Sequence, residues 1–313
     1  MLKRLLMGAA LMAVTMPAES ASGPWTSAPA TTAFNPSDIA SLVPSRPRSV
    51  ALTRDILPRA DAATLDALLS AAGLRVSQVR SGAAAVPRLY VEAMPTDMAQ
   101  IDQSAERKRI FIKVMLPLVL AANERLIADR AEIAFLSGRL AVGGSLTAPE
   151  ARWLAAMYEL FYVDDGDAGE LLSRVDVIPP SLALAQAAQE SGWGTSRFAH
   201  EGNAVFGQKT WEEGAGIDPE GLNDASFEVR AFNGLKDSVF AYLVNLNRHQ
   251  AYQHLRELRA QMRIEGTNLD GMTLAAGLDD YAEEPDYIGK IRALISVNNL
   301  TDFDGARLAD ISR

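Results

Sequence analysis

The longest amphipathic segment of the chain runs over Ser104–Leu140, where apolar residues recur at helical spacing. This spacing places them on one face of an α-helix, so we predict a long helix that buries one side. Pro117 lies inside the segment and is expected to kink the helix, because proline lacks an amide proton and crowds the preceding turn. The apolar face is formed by Ile110, Val114, Leu118, Ala121 and Leu126.

Shorter elements are predicted on both sides of this helix. A cluster of leucines indicates a helix over 61–73, and partial alternation over 86–95 indicates a strand or an extended arm. Thr147 begins the capping box T-A-P-E, which predicts a helix as far as Val163. Another short helix is expected over 168–175.

The C-terminal part combines two patterns. Residues 209–232 carry scattered glycines and the alternating run SFEVRAF, which is typical of short strands. Helical spacing returns afterwards, so we expect a small β-lobe beside a helical body and a mainly α (α+β) fold class. The later helices are predicted over 235–248, 252–263, 270–277 and 286–298.

The N-terminus has the residue order of a secretory signal. Lys3 and Arg4 precede an apolar run that is too short to span a bilayer comfortably, and small residues follow it. We therefore predict a signal peptide over 1–20, export to the periplasm or the exterior, and no stable membrane insertion after signal cleavage. Residues 21–48, rich in Ala, Ser, Pro and Thr, are expected to form a flexible linker.

Composition excludes several classes of function. The net charge of −9 and the pI near 5.0 argue against a nucleic-acid partner, which would require a basic face. The chain contains no cysteine, so disulfides, thiolate nucleophiles and zinc–thiolate sites are excluded. The acidic run 164–167 lacks the ligand spacing of an EF-hand loop, and we predict neither a metal nor a cofactor.

The stretch from Ile178 to Trp211 is the most informative for function. Its two prolines suit the first turn of a helix, good helix formers follow, and Gly192 stands where a C-cap needs a positive φ. Glu190 is therefore expected in the last turn, where the helix dipole and burial both raise a carboxyl pKa. A general acid that works near neutral pH needs this property. An isolated helical glutamate is usually a surface residue, so the residues around Glu190 decide whether a catalytic role is expected.

Those neighbours resemble a known family. The segment ALAQAAQESGWGTSRFAHEGNAVFGQ is similar to the signature of the glucosaminidases of glycoside hydrolase family 73, and most similar to that of their Bax-like periplasmic members. The resemblance implies a lysozyme-like glucosaminidase domain, which we place over 143–310 after the glycine pair at 143–144. It also implies a Bax-like helical N-terminal region, which we place over 49–142. The implied reaction is hydrolysis of the GlcNAc-β-1,4-MurNAc bond in peptidoglycan glycan strands, with Glu190 as the proton donor.

A second catalytic group is expected among the acidic residues of the predicted β-lobe. Glycoside hydrolysis usually takes two carboxylates, and members of the family often carry the second in the β-lobe. We choose Glu228, because a strand should hold it more firmly than a loop would. Assistance from the 2-acetamido group of the substrate is the alternative. The other acidic residues of the predicted lobe are Glu212, Glu213, Asp218, Glu220 and Asp224.

Further residues are assigned to the substrate cleft. The run YAEEPDY resembles the family's Y-A-x-D-P-x-Y, although Glu284 replaces the usual aspartate, and the resemblance carries a catalytic-cleft role to Tyr281. Tyr287 is interpreted as structural, and for Phe206 a core position is an equal alternative. The residues expected to bind sugar through ring faces and amides are Trp193, Asn203, Phe206, Gln208 and Trp211.

Two rival functions stay open at this point. A lytic transglycosylase would use the same lone glutamate, but it would carry a GLMQ-type segment where this chain has NAVFGQ. A protein that binds glycan or recruits a wall enzyme without catalysis is the second alternative. The sequence does not identify a protein partner.

Overall fold

The computed structural model describes three stretches of the chain, 55–218, 227–282 and 286–310. The predicted signal peptide and linker lie outside the described residues. The same holds for Glu220, Asp224 and Glu284.

The described part of the chain is mainly helical, which confirms the predicted fold class. Most helices begin and end within a few residues of the predicted bounds. The α-helices are α1 (Ala62–Ala71), α2 (Val76–Arg80), α3 (Ser104–Ala141), α4 (Ala148–Leu160), α5 (Ala168–Arg174), α6 (Pro180–Ser191), α7 (Arg197–Glu201), α8 (Leu235–Arg248), α9 (Gln253–Glu265), α10 (Gly271–Leu274) and α11 (Tyr287–Val297). Single 3-10 turns span Met98–Gln100, Gln250–Tyr252, Ala275–Gly277 and Leu300–Phe303.

The strands within the described residues are short and form two small sheets. In the first, β1 (Asp55–Leu57) pairs in parallel with β2 (Leu89–Val91), within the extended arm predicted over 86–95. The second is the predicted β-lobe, in which the order β3–β5–β4 is antiparallel throughout. Its strands are β3 (Lys209–Thr210), β4 (Gly216–Ile217) and β5 (Glu228–Arg230).

Helix α3 passes through the centre of the hydrophobic core. It runs unbroken through Pro117, and its residues from Ile110 to Asn123 are buried on all sides rather than on the one predicted face. It packs against α6 and α8, both of which belong to the predicted glucosaminidase domain. Apolar residues from both sides of the glycine pair at 143–144 thus share one core, and the division of the chain at residue 143 stays a prediction. Within the described residues, no helix is long and apolar enough to cross a membrane.

Helix α6, which carries Glu190, is fixed at its start by contacts from distant parts of the chain. The side chain of Asn123 on α3 bonds the backbone of Ile178 twice, donating to its carbonyl at 2.8 Å and accepting from its N–H at 3.1 Å. The carboxylate of Asp304 accepts from the Ser181 N–H and hydroxyl, both at 2.7 Å. These bonds satisfy polar groups at a buried helix start and so define where α6 lies.

A buried arginine holds the segment that leads into α6. Arg259 is 1% exposed and donates to Asn247 Oδ1 at 2.6 Å and to the carbonyls of Ser173 at 3.0 Å and Val177 at 3.2 Å. Burial lowers its pKa to about 10, which keeps the guanidinium charged at neutral pH. A guanidinium suits this position because its fork of donors can satisfy several carbonyls at once.

Candidate active site

Helix α6 ends in a sharp reversal directly after Glu190. Gly192, Trp193 and Gly194 all adopt left-handed backbone conformations, with φ values of 58°, 59° and 80°. The Trp193 N–H returns to the Ala188 carbonyl at 2.9 Å, which closes the helix end. The predicted helix and its glycine C-cap are therefore confirmed, and Glu190 lies in the last turn. Its side chain is half-buried.

A chain of directed hydrogen bonds ends at the Glu190 carboxylate. The Tyr242 hydroxyl donates to Gln186 Oε1 at 2.5 Å, and Gln186 Nε2 donates to the Tyr287 oxygen at 3.1 Å. The Tyr287 hydroxyl then donates to Glu190 Oε1 at 2.8 Å. Gln186 and Tyr242 are fully buried and Tyr287 is 5% exposed, so water does not compete for these groups. The chain orients one carboxylate oxygen from inside the protein.

The two tyrosines of the hydrogen-bond chain, Tyr242 and Tyr287, remain protonated. Burial, followed by the nearby Glu190 charge, raises the pKa of Tyr287 well above its ordinary value. Burial does the same for Tyr242, which is completely enclosed. Both phenols therefore act as hydrogen-bond donors throughout the pH range in which a carboxyl group titrates.

An aromatic cluster surrounds this chain of hydrogen bonds. The rings of Phe206 and Tyr242 stack at 3.8 Å between centroids, and those of Tyr281 and Tyr287 stack at 5.3 Å. The half-buried Tyr281 also donates from its hydroxyl to the Phe206 carbonyl at 3.3 Å. Tyr281 thus packs directly on the tyrosine that bonds Glu190, although its part in the reaction stays a prediction.

The second oxygen of Glu190 faces the backbone at Gly207. A Cβ atom added to this glycine would lie 3.7 Å from Glu190 Oε2. Gly207 has a φ of 61°, a conformation that favours glycine. The absence of a side chain at this position therefore keeps the space beside Oε2 open. The glycine lies in the predicted NAVFGQ segment, which the fold brings against the end of α6.

Glu228 is anchored within the β-lobe. On β5, its Oε2 accepts from the Gly216 N–H at 2.7 Å and its Oε1 from the Gly214 N–H at 3.1 Å. These bonds tie the carboxylate to the backbone of the loop that contains β4. The strand setting expected for this residue is confirmed, whereas its assignment as the second catalytic group is not tested by the geometry. Glu212, Glu213 and Asp218 are exposed.

The predicted sugar-binding residues divide into surface and interior positions. Trp211 is 72% exposed, and Trp193 and Gln208 are half-buried. Phe206 is 2% exposed and belongs to the core, which was the alternative expected for it. Asn203 is buried, has a φ of 51°, and donates from its side chain to the Phe232 carbonyl at 3.0 Å. The side chains of Phe206 and Asn203 thus hold the loop in place.

Sequence reasoning missed the residues that orient Glu190. Gln186 lies one helical turn before Glu190 on α6, a spacing that brings side chains onto the same face, and this could have drawn attention to it. Tyr287, interpreted from sequence as structural, contacts the carboxylate directly. Tyr242 carried no local signal. Among the described residues, no group of acidic or histidine side chains could hold a metal ion.

Comparisons with known proteins agree with the motif. The family model described as mannosyl-glycoprotein endo-β-N-acetylglucosaminidase matches residues 166–300. The chain is 33% identical to protein bax of Escherichia coli (strain K12) over 191 residues, which cover 59% of this chain and 67% of that protein. It is 27% identical to exo-glucosaminidase LytG of Bacillus subtilis (strain 168) over 153 residues, which cover 44% of this chain and 50% of that enzyme. No solved structure matches the chain.

The matched region contains α6, the β-lobe and α11, and therefore both partners of the Tyr287–Glu190 hydrogen bond. This agreement confirms the resemblance seen in the sequence. The chain belongs to the Bax-like proteins of the glucosaminidase family, a family of glycosidases.

Proposed function

We propose that this protein is a peptidoglycan hydrolase, an endo-β-N-acetylglucosaminidase that cleaves the GlcNAc-β-1,4-MurNAc bond with Glu190 as its general acid. The observation that carries the proposal is the half-buried Glu190 carboxyl at the end of α6, with Oε1 held at 2.8 Å by the buried Tyr287 phenol. A carboxyl group fixed in this way can present its other oxygen in one orientation. General acid catalysis requires such positioning.

The two oxygens of Glu190 then have different tasks. Oε2, beside Gly207, transfers its proton to the glycosidic oxygen as the bond to the anomeric carbon breaks. The electron pair of that bond stays on the leaving oxygen, and Glu190 becomes a carboxylate. The phenol of Tyr287 already points at Oε1, so it stabilises the developing negative charge without reorganisation.

Glu228 is our candidate for the second group, acting as base or nucleophile. Two backbone amides hold its carboxylate in a fixed orientation, which suits a catalytic group. The same two bonds would also explain Glu228 as a structural residue of the β-lobe. Substrate assistance through the 2-acetamido group is the alternative. A Glu228→Gln variant that keeps full activity on a folded protein would favour the alternative.

Sugar contacts are proposed for the accessible members of the predicted set. Trp211 presents a large exposed ring, and Trp193, Gln208 and Tyr281 are partly exposed near the end of α6. Exposed indole and phenol rings suit the apolar faces of sugar rings, and amides suit their hydroxyl and acetamido groups. We place the protein in the periplasm or outside the cell, where this substrate lies.

Mass spectrometry of the products from purified sacculi tests the proposal. The wild type should release fragments with GlcNAc at the reducing end, and Glu190→Gln should release none, because the amide has no proton of suitable acidity. Glu159→Gln is the matched control, since Glu159 is exposed on α4 and its substitution should leave digestion unchanged. Anhydro-MurNAc products would identify a lytic transglycosylase, and the absence of products from the wild type would favour a binding protein.

The same digestion separates endo from exo cleavage. The matched family model is described as an endo-enzyme, whereas the name of LytG states an exo-enzyme. Endo cleavage shortens long strands early and yields fragments of mixed length. Accumulation of a single short product while long strands persist would contradict the endo assignment.

A further inference from the structure

The N-terminal region reaches the turn that follows Glu190. Lys108 Nζ on α3 lies 5.0 Å from the centroid of the Trp193 ring, within the range of a cation–π contact. The Phe111 ring, one turn further along α3, meets the same indole at 5.5 Å and 73°, an edge-to-face arrangement. Both residues precede the region matched by the family model, which begins at residue 166.

A second contact from this region closes on the neighbouring glycine. A Cβ atom on Gly194 would lie 2.7 Å from Met94 Sδ and 3.2 Å from Phe111 Cδ2, so the two side chains press directly on its backbone. Arg59 donates to the carbonyl of His200 on α7, beyond the turn. Side chains from α3 and from the loops after β1 and β2 therefore contact the segment after Glu190.

The turn needs such support. Trp193 adopts a left-handed conformation that residues other than glycine, asparagine and aspartate seldom take, and such strained backbone persists only where the surrounding structure holds it. Lys108 is itself fixed, because its ammonium donates to Asn298 Oδ1 at 2.9 Å. The Asn298 amide donates in turn to the Leu294 carbonyl at 2.8 Å, which orients its oxygen towards the lysine.

We propose that Lys108 and Phe111 are positioning residues of the glycan site, holding the Trp193 ring as a preformed stacking face for a sugar. The inference rests on the proposed function, in which Trp193 contacts the substrate. It gives the N-terminal region a role in substrate binding: α3 supplies one wall of the site instead of serving only as a neighbouring layer. Such positioning favours binding, because a stacking ring that is fixed beforehand loses little conformational entropy when the sugar binds.

Binding in a Glu190→Gln background tests the proposal without cleavage of the ligand. The probe is a tetrasaccharide of alternating GlcNAc and MurNAc, and calorimetry at fixed salt gives the Kd. Lys108→Met and Phe111→Leu should each raise the Kd by roughly twofold to tenfold, the range of the ring contacts that they remove. Lys108→Arg keeps a cation over the ring and should bind as tightly as the parent.

A matched control accounts for the loss of charge. Arg109→Met also removes one positive charge from α3, but Arg109 pairs with Asp66 at 2.6 Å rather than with Trp193. Its Kd should equal that of the parent. Thermal unfolding of every variant identifies any that fails to fold. If Lys108→Met does not fold, the test then rests on Phe111→Leu compared with Lys108→Arg.

A double-mutant cycle separates positioning from general support of the fold. In a Trp193→Leu background, Lys108→Met should have little further effect on the Kd, because the ring that it positions is absent. An unchanged Kd in Lys108→Met and Phe111→Leu would overturn the proposal, as would equal effects with and without Trp193, or no binding by the parent.

Cleavage of sacculi by the wild type, measured in parallel, distinguishes the two proposals. If the wild type cleaves sacculi but the Kd is the same with and without Lys108→Met, only the role of α3 is overturned. A Kd that depends on Lys108 and Trp193, in a protein whose wild type does not cleave, supports the glycan site and overturns the proposed activity.

Discussion

The hydroxyl of Tyr287 donates a 2.8 Å hydrogen bond to Oε1 of Glu190, a residue 97 positions earlier in the chain. Tyr287 is the first residue of α11 and Glu190 is the penultimate residue of α6, so the bond joins the start of one helix to the end of another. A buried phenol that cannot ionise near neutral pH is a permanent donor to the carboxyl group. Tyr287 therefore contacts the carboxyl group directly, and we propose that it orients Glu190 for catalysis.

The first prediction concerns Tyr287→Phe. The substitution keeps the ring but removes the donor, so kcat should fall roughly tenfold or more, as when one preorganised donor is removed from another active site. A hydrogen bond to a carboxylate favours its ionised form, so the pKa of Glu190 should be higher in the variant than in the wild type. Activity on a soluble glycan fragment declines on the alkaline side as Glu190 loses its proton, and this limb should move to higher pH in the variant.

A matched control is Tyr158→Phe, which removes the hydroxyl of another buried tyrosine on α4. It should leave the alkaline limb in place. A limb that stays unchanged in Tyr287→Phe would count against Glu190 as the group that titrates.

The second prediction concerns Gln186→Met, which replaces the amide between the two tyrosines with an apolar side chain of similar size. The Tyr242 hydroxyl loses its acceptor in a fully buried position, so the free energy of unfolding should drop by roughly 1–3 kcal/mol. The amide acts on Glu190 through Tyr287. Gln186→Met should therefore lower kcat when it is made in the wild type, but should not lower it further when it is made in Tyr287→Phe. Additive losses of kcat would show that Gln186 acts by another route.

The third prediction concerns Gly207→Ala. The new methyl group would lie 3.7 Å from Glu190 Oε2, in the space that the glycosidic oxygen is proposed to use. We expect kcat/KM to fall roughly tenfold or more, because small displacements of reacting groups have large effects on rate. Gly82→Ala is the control, since Gly82 also has a positive φ, 70°, but has nothing within 4 Å of an added Cβ. Both variants should lose about 1–2 kcal/mol of stability, and only the first should lose activity.

The fourth prediction concerns stability and pH at the other end of α6. Burial raises the pKa of Asp304 from 3.8 to about 6. The folded state therefore holds this proton more tightly than the unfolded state, and the contribution of Asp304 to stability is present in full below about pH 4 and lost as pH rises through about 6. The loss amounts to roughly 3 kcal/mol at most, from about 2 pKa units.

Denaturant unfolding between about pH 4 and pH 7 measures this contribution. The stability of the wild type relative to Asp304→Asn should decrease as pH rises, because asparagine does not titrate. Thr301→Ala, in the 3-10 turn directly before Asp304, removes no titratable group and should show no such trend. A constant difference between the wild type and Asp304→Asn would contradict the raised pKa.

Several features of this protein follow from the sequence through local physical chemistry. Proline at the start of α6, glycine at its end and the capping box before α4 act over one helical turn, so their bounds could be predicted to within a few residues. The β-lobe followed from glycines and alternation in the same way. The position of Glu190 in the last turn of α6 also followed from spacing, and its proposed role as the proton donor came from the resemblance of the surrounding motif.

The surroundings of Glu190 were decided only by the tertiary structure. Tyr242, Gln186 and Tyr287 come from three helices, and no local pattern indicates which hydroxyl meets which amide. Periodicity predicted an apolar face for α3, yet its residues from Ile110 to Asn123 are buried on all sides because α6 and α8 pack around them. The same packing carries Lys108 to Trp193. Backbone preferences act between neighbours in sequence, whereas hydrogen bonds and ring contacts depend on distance in space, and the fold alone sets that distance.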